Sequence, residues 1–246
     1  MSVRARAAVG VVGLFAAAGL AIWILFGLFL TTGYPSVDFT KSHTAGQPVD
    51  LTVQTVGAIG YGPHPTWVSY VVKQPNGTWI QASTWTLPAH TLVHMTIYQY
   101  DSGGPLRNQF WGSVQGVTNN AATVTSFAGS HQIGGPTSVS LIDSNATQSD
   151  SEPLSNGVGH TFAVPTLGIA VPLPAVNGNS SNQCSTSAPC PTTVDHNVVK
   201  FSFETPGPGN YPWQCFVPCG LGYLFGNGGG MGTINYMGGF LNVVNQ

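Results

Sequence analysis

Two cysteines four residues apart close a strand-like segment and run into a glycine-rich stretch, Gln214-Cys215-Phe216-Val217-Pro218-Cys219-Gly220-Leu221-Gly222-Tyr223. Thiolates select soft metals such as Cu(I), zinc and iron–sulfur clusters. An upstream imidazole and a downstream thioether complete the nitrogen and sulfur set of copper electron-transfer centres. His160 is the candidate imidazole, and Met231 or Met237 the candidate thioether. The same cysteines also fit an oxidised pair in a fold that carries no metal, and spacing alone leaves both readings open.

The remaining chemistry-bearing residues form weaker patterns. His90 and His94 are an even number of residues apart and so share one strand face, which offers a second metal or proton site. His43, His64, His131 and His196 fall in loop contexts and are assigned to solvent. Trp213, two residues before Cys215, is assigned to the core, with electron relay as the alternative. The glycine run at 226–230 lacks the Lys-Ser/Thr ending and following helix of a phosphate loop. Neither a Ser-His-Asp order nor a pair of catalytic carboxylates emerges from the eight acidic residues.

Positioning such a site requires rigid elements, and the chain past residue 47 reads as strands. Residues 49–56 alternate apolar and polar, and residues 67–72 are rich in aromatic and β-branched types. Pro75-Asn76-Gly77 leads into Thr78-Trp79-Ile80 as a hairpin turn. Further strands are predicted at 91–99, 139–142, 160–164, 169–173, 198–203, 211–216 and 240–244. Many short strands punctuated by Gly and Pro predict an all-β sandwich or barrel. Residues 103–136 and 175–193 exceed ordinary loop lengths and read as insertions at one end of it.

Residues 7–30 carry no charge, while Arg4 and Arg6 precede them. A run of that length predicts an uncleaved transmembrane helix rather than a signal peptide, whose apolar centre spans only about 7–15 residues. Positive residues stay on the cytoplasmic side. The organisation expected is therefore a cytoplasmic tip and anchor over 1–31, a linker over 32–47 and one extracytoplasmic domain over 48–246. Charged residues make up 6% of the chain and the net charge is −2, which excludes a basic nucleic-acid face. A surface of neutral polar groups also loses little when carboxylates protonate, as an acidic habitat would demand. Cys184 and Cys190 lie in a polar loop, where an exported protein keeps a disulfide. Closing so short a loop contributes about 2 kcal/mol.

The last ninety residues run Gly159-His160-Thr161-Phe162, then Phe203-Glu204-Thr205-Pro206-Gly207, then Tyr211-Pro212-Trp213-Gln214-Cys215 and the double-cysteine loop. This order resembles a cupredoxin domain, and more narrowly the extracytoplasmic domain of haem-copper oxidase subunit II. The resemblance covers about 155–244 and the anchor. It implies a cupredoxin-like Greek-key sandwich with His160, Cys215 and Cys219 as copper ligands and the carbonyl of Val217 facing the metal. Tyr223 stands where that family places a second histidine, and the expected thioether position is displaced to Met231 or Met237. The resemblance thus implies one copper rather than two, and an electron-transfer role with no catalysis of its own. Its partners would be a membrane, other subunits of a respiratory complex or a redox donor. The alternatives are a metal-free docking subunit and a Cu(I) carrier.

Overall fold

Alternating side chains along β2 (Val49–Val56), β6 (Leu92–Gln99) and β11 (Asn197–Glu204) make each strand apolar on one face, and these three lie side by side. Along β11, Val199, Phe201 and Phe203 are buried while Lys200 and Glu204 are exposed. The computed structural model describes residues 3–25, 33–103, 106, 108–126, 129–134, 157–176, 184, 187–220 and 229–246. Around the three central strands, β4 (Trp79–Ile80) and β3 (Ser69–Lys73) extend one edge, and β7 (Ala121–Ser126) and β8 (Gly129–Gly134) the other. β2 pairs with β6 in parallel, and the other pairs in this sheet are antiparallel.

A second sheet has the order β1 (Ser36–Asp38), β5 (Thr84–Pro88), β13 (Gly238–Val244), β12 (Gly209–Gln214), β9 (Val158–Val164) and β10 (Ile169–Pro174). Both sheets bury their inner faces in one shared core, so of the sandwich or barrel predicted from the strand pattern, the sandwich is the architecture found. Trp85 stacks on Trp213 at 4.8 Å between ring centroids, and Tyr70 meets Trp213 edge-on at 4.9 Å. Buried indole and phenol groups need partners. The indole N–H of Trp213 donates to the Ser83 carbonyl at 2.9 Å, and the Tyr70 hydroxyl to the Thr161 carbonyl at 3.0 Å. Trp213 is therefore a core residue.

The structure departs from the sequence expectations in three places. Residues 36–38, read as linker, form β1 alongside β5, and neighbouring Val37 and Phe39 are buried. Three residues are too few to show a period. The region 103–136 is no structureless insertion, because β7 and β8 form a hairpin on the sheet edge. Its Thr-, Ser- and Gly-rich strands have too weak an apolar alternation to be read. β5 went unread for a related reason, a five-residue strand closed by Pro88. The strand predicted at 139–142 lies outside the described residues.

Cys184 and Cys190 form the predicted disulfide. Its loop is clamped onto the outer face of β2. Buried Gln54 donates to the Cys190 carbonyl at 3.1 Å and accepts from the Cys190 N–H at 2.8 Å, while the Tyr100 hydroxyl donates to the same carbonyl.

The chain divides into two units, Met1–Tyr34 and Pro35–Gln246. The first contains helix α1 (Val3–Leu25), along which Leu14, Phe15 and Trp23 are exposed. The apolar run continues to Leu30, outside the described residues. Among the described residues no helix is long and apolar enough to cross a membrane.

Candidate metal centre

Strand pairing brings together residues that are 55 apart in the chain. Gln214, the last residue of β12, lies opposite Ala163 of β9, so Cys215 emerges beside Thr161 and His160. The Thr161 N–H donates to the Cys215 sulfur at 3.4 Å, and the Phe216 N–H donates to the Thr161 hydroxyl at 2.7 Å. On the other side the Cys215 N–H donates to the Met237 carbonyl at 2.9 Å. The chain then turns tightly. The Cys219 N–H points at the Val217 carbonyl, 2.7 Å away, and Gly220 follows at φ +64°. A Cβ at Gly220 would also press on Val68, so glycine is required there twice over.

Three metal-capable atoms converge. Nδ1 of His160 is 3.8 Å from the Cys215 sulfur, and the two thiol sulfurs are 3.2 Å apart and unbonded. Among the described residues, His160, Cys215 and Cys219 form the metal-capable cluster, with their donor atoms all within 4.8 Å of one another. The Val217 carbonyl oxygen is 3.1 Å from the Cys219 sulfur and 3.8 Å from the Cys215 sulfur. The Met231 sulfur accepts from the Cys219 N–H at 3.2 Å. Met231 stands in a short 3-10 turn, Gly230–Gly232. Met237 is buried in the core and offers its carbonyl to Cys215.

The donor set fits a soft ion. Metal–sulfur bonds of about 2.3 Å and metal–nitrogen bonds of about 2.0 Å around a trigonal ion hold nitrogen and sulfur about 3.7 Å apart. The observed His160–Cys215 separation matches that span. The two sulfurs, 3.2 Å apart, must open by about 0.8 Å to share one ion on the same bond lengths and angle.

Asp101 organises the site from behind. Its carboxylate accepts from Nε2–H of His160 at 3.1 Å, which leaves Nδ1 free to face the sulfurs. Burial works against a charged His160, yet the Asp101 carboxylate and Cys215 outweigh it and raise its pKa to about 9. At Cys215 burial opposes the thiolate, but hydrogen bonds with Cys219 and His160 hold its pKa well below the ordinary thiol value. Cys219 goes the opposite way, raised by its hydrogen bond to Cys215 and then by burial. Asp101 escaped the sequence reading because it lies 59 residues before His160 with no motif joining them. Its only signal was scarcity, as one of eight acidic residues.

A cavity of about 250 Å³ opens beside the site, lined by Gly57, Trp67, Asp101, Val217 and Cys219 among others. The other sequence candidates fall elsewhere. His94 is exposed and bonded to Ser202, while His90 occupies a turn at φ +51°; neither belongs to a metal-capable cluster among the described residues. His43, His64 and His196 are not simply solvated. His43 contacts Gln246 and the Gln47 carbonyl, His64 stacks on Trp67 at 3.7 Å, and His196 meets the Val194 carbonyl and the Tyr100 ring. The His131 side chain and Tyr223 lie outside the described residues.

No protein-family model matches the chain, and no curated protein matches it. Solved structures overlap it loosely. Rusticyanin from Thiobacillus ferrooxidans shares 14% identity over 85% of this chain and 82% of that chain, with a TM-score of 0.32. A second rusticyanin structure, described as a copper protein, scores 0.33 at the same identity and coverage. Auracyanin B shares 14% identity over 82% of this chain and 93% of that chain, with a TM-score of 0.23. Superpositions this loose leave the chemistry to be read from the chain's own residues.

Proposed function

We propose that this chain is a membrane-anchored, extracytoplasmic copper-binding electron-transfer protein, cupredoxin-like and similar in layout to haem-copper oxidase subunit II. The convergence of the His160 nitrogen with the Cys215 and Cys219 sulfurs carries this reading. Copper bound there would supply a one-electron couple between Cu(I) and Cu(II). His160, Cys215, Cys219 and Met231 would hold it, with the Val217 carbonyl facing it. Thiolate, imidazole and thioether together suit Cu(I), and the thioether is a means of tuning the potential. One imidazole supports one ion.

The surrounding backbone keeps the donors in place. Thr161 and Met237 hold Cys215, Asp101 holds His160, and a fully packed sandwich holds both strands. Donors that move little between charge states keep the reorganisation cost of electron transfer small. Exposed apolar residues along α1 support the anchor, Arg4 and Arg6 support a cytoplasmic N-terminus, and the Cys184–Cys190 disulfide supports an oxidising compartment. The partners in this reading are subunits of a respiratory membrane complex or a redox donor protein.

One observation favours a second reading as a Cu(I) carrier: half-buried Cys219 borders the cavity, a route by which an ion could leave. Copper analysis of the full chain in detergent, with absorption spectra in both oxidation states, tests both. Electron transfer predicts one retained copper and a sulfur-to-copper absorption that bleaches on reduction. A carrier predicts Cu(I) that passes rapidly to a chelator, and a chain that retains no copper overturns both readings. A reporter fused after Gln246 should register on the outer side of the membrane, and a cytoplasmic signal overturns the topology.

A further inference from the structure

Strand β6 ends at Gln99, and Asp101 lies two residues beyond it, past the last paired residues of β2 and β6. There the Gln99 side chain takes over from the ladder. Its amide is wholly buried and closes a ring with Asp101: Oε1 accepts from the Asp101 N–H at 3.2 Å, and Nε2 donates to the Asp101 carbonyl at 3.1 Å. The buried Thr55 hydroxyl of β2 donates to the same Oε1. These partners fix which end of the amide is oxygen, since a backbone N–H can only donate and a carbonyl only accept. A buried amide whose partners are all present holds one arrangement, because any other strands a polar group away from water.

With its backbone held, Asp101 aims its carboxylate across to the other sheet. Oδ2 accepts from Nε2–H of His160 at 3.1 Å, and Oδ1 accepts from the Ser102 N–H at 2.8 Å. Two glycines make room for this. A Cβ on Gly57 would lie 2.9 Å from Oδ1 of Asp101, and a Cβ on Gly159 would lie 2.0 Å from Nε2 of Gln99. Gly159 is an ordinary strand residue of β9 without a positive φ, so its backbone does not call for glycine. The Gln99 amide does. The residue immediately before His160 is thus shaped to the side chain that holds the partner of His160.

We propose that Gln99 is a positioning residue of the metal centre: by pinning Asp101 it keeps Nε2 of His160 turned to the carboxylate and Nδ1 turned to the two sulfurs, and Gly159 is small in order to admit its amide. His160 stands on β9 of one sheet, whereas Gln99 closes β6 of the other and Asp101 follows it. The clamp therefore fixes the aim of the ring against any sliding of the sheets. The Asp101 side chain is 27% exposed, so without Gln99 it can turn toward solvent, leaving His160 buried but unaimed. The proposal rests on the copper reading above for its effect on metal affinity, while the aim of the ring is measurable without metal.

The test uses the full chain in detergent, with nitrogen-15 in its histidines. In the metal-free parent the Nε2–H proton of His160 should give a distinct NMR signal that exchanges slowly with solvent. Gln99→Met keeps the bulk and loses the amide; it should speed that exchange by about an order of magnitude and lower Cu(I) affinity about tenfold in competition with a chelator. Gln99→Asn keeps an amide too short to bridge both backbone groups of Asp101, and it should act alike, which covers the case of a Met variant that does not fold. Cys184→Ser with Cys190→Ser, which weakens the fold elsewhere, should change neither quantity. Gly159→Ala should lower Tm in the parent and far less in Gln99→Ala, where its space is free. A parent proton that exchanges freely overturns the proposal, as do unchanged exchange in the folded Gln99 variants and equal losses from Gly159→Ala in both backgrounds. A parent with the slow proton that retains no copper overturns the copper reading instead, an outcome separable from the others.

Discussion

A carboxylate on the rear nitrogen of a histidine fixes both its tautomer and its aim. Asp101 does this to His160, and such outer partners typically contribute about 10–100-fold to metal affinity. Asp101→Asn should lower copper affinity within that range, as measured by competition with a chelator, and an unchanged affinity would mean that His160 needs no orienting partner. Cys215→Ser should abolish copper binding, because Cys215 is the fully buried sulfur that lies 3.8 Å from the His160 nitrogen, and a serine hydroxyl is no soft ligand. The two methionines should separate cleanly. Met231→Leu should shift the copper spectrum and potential, since its sulfur meets Cys219, whereas Met237→Leu should alter stability and leave the spectrum in place. The reverse pattern would reassign the thioether.

At the scale of elements, the site depends on how β12 is pinned between its neighbours. The Ser83 carbonyl accepts from both the Trp213 indole and the Phe240 N–H, each at 2.9 Å. Gly239 lets that carbonyl approach, because a Cβ there would lie 1.9 Å from it. Gly239→Ala must therefore part β13 from Ser83 and loosen Trp213, two residues before Cys215. Overpacking of this kind costs about 1–3 kcal/mol, so urea denaturation should show a loss of that size together with weaker copper binding. A variant of unaltered stability would show that Ser83 can shift freely. The Cys184–Cys190 loop lies on a different face, against Gln54 and Tyr100. Its removal by Cys184→Ser with Cys190→Ser should cost about 2 kcal/mol, or roughly 4–8 °C in Tm for a domain of this size.

For the whole molecule, the scarcity of charge sets the response to acid. Asp38 is held below its usual value, chiefly by the Thr40 hydroxyl. A carboxylate whose folded pKa is depressed stabilises the fold above its unfolded pKa, and that contribution is lost as pH falls through the lowered value. With eight acidic residues in 246, few such contributions exist to lose. Thermal melts of the full chain should therefore change little from neutral pH down to about pH 4. A steep loss of stability above that pH would show that buried ion pairs carry more of the fold than the composition implies.

The sandwich was legible because side-chain alternation is a local property: residues 49–56 and 240–244 declare their buried faces without reference to any partner. The cysteine pair was legible for the same reason, since four-residue spacing in a turn after a strand places two sulfurs together whatever the rest of the chain does. What alternation cannot state is which strands become neighbours. The pairing of Gln214 with Ala163 alone sets Cys215 beside His160, and that pairing follows from how the two sheets share a core of Trp85, Phe162 and Trp213. The same holds for Asp101 behind His160, for Met231 rather than Met237 at Cys219, and for Gln99 against Gly159. Each of these contacts joins segments that carry no mutual signal in one dimension, because close packing selects partners by shape and distance only after the sheets have closed.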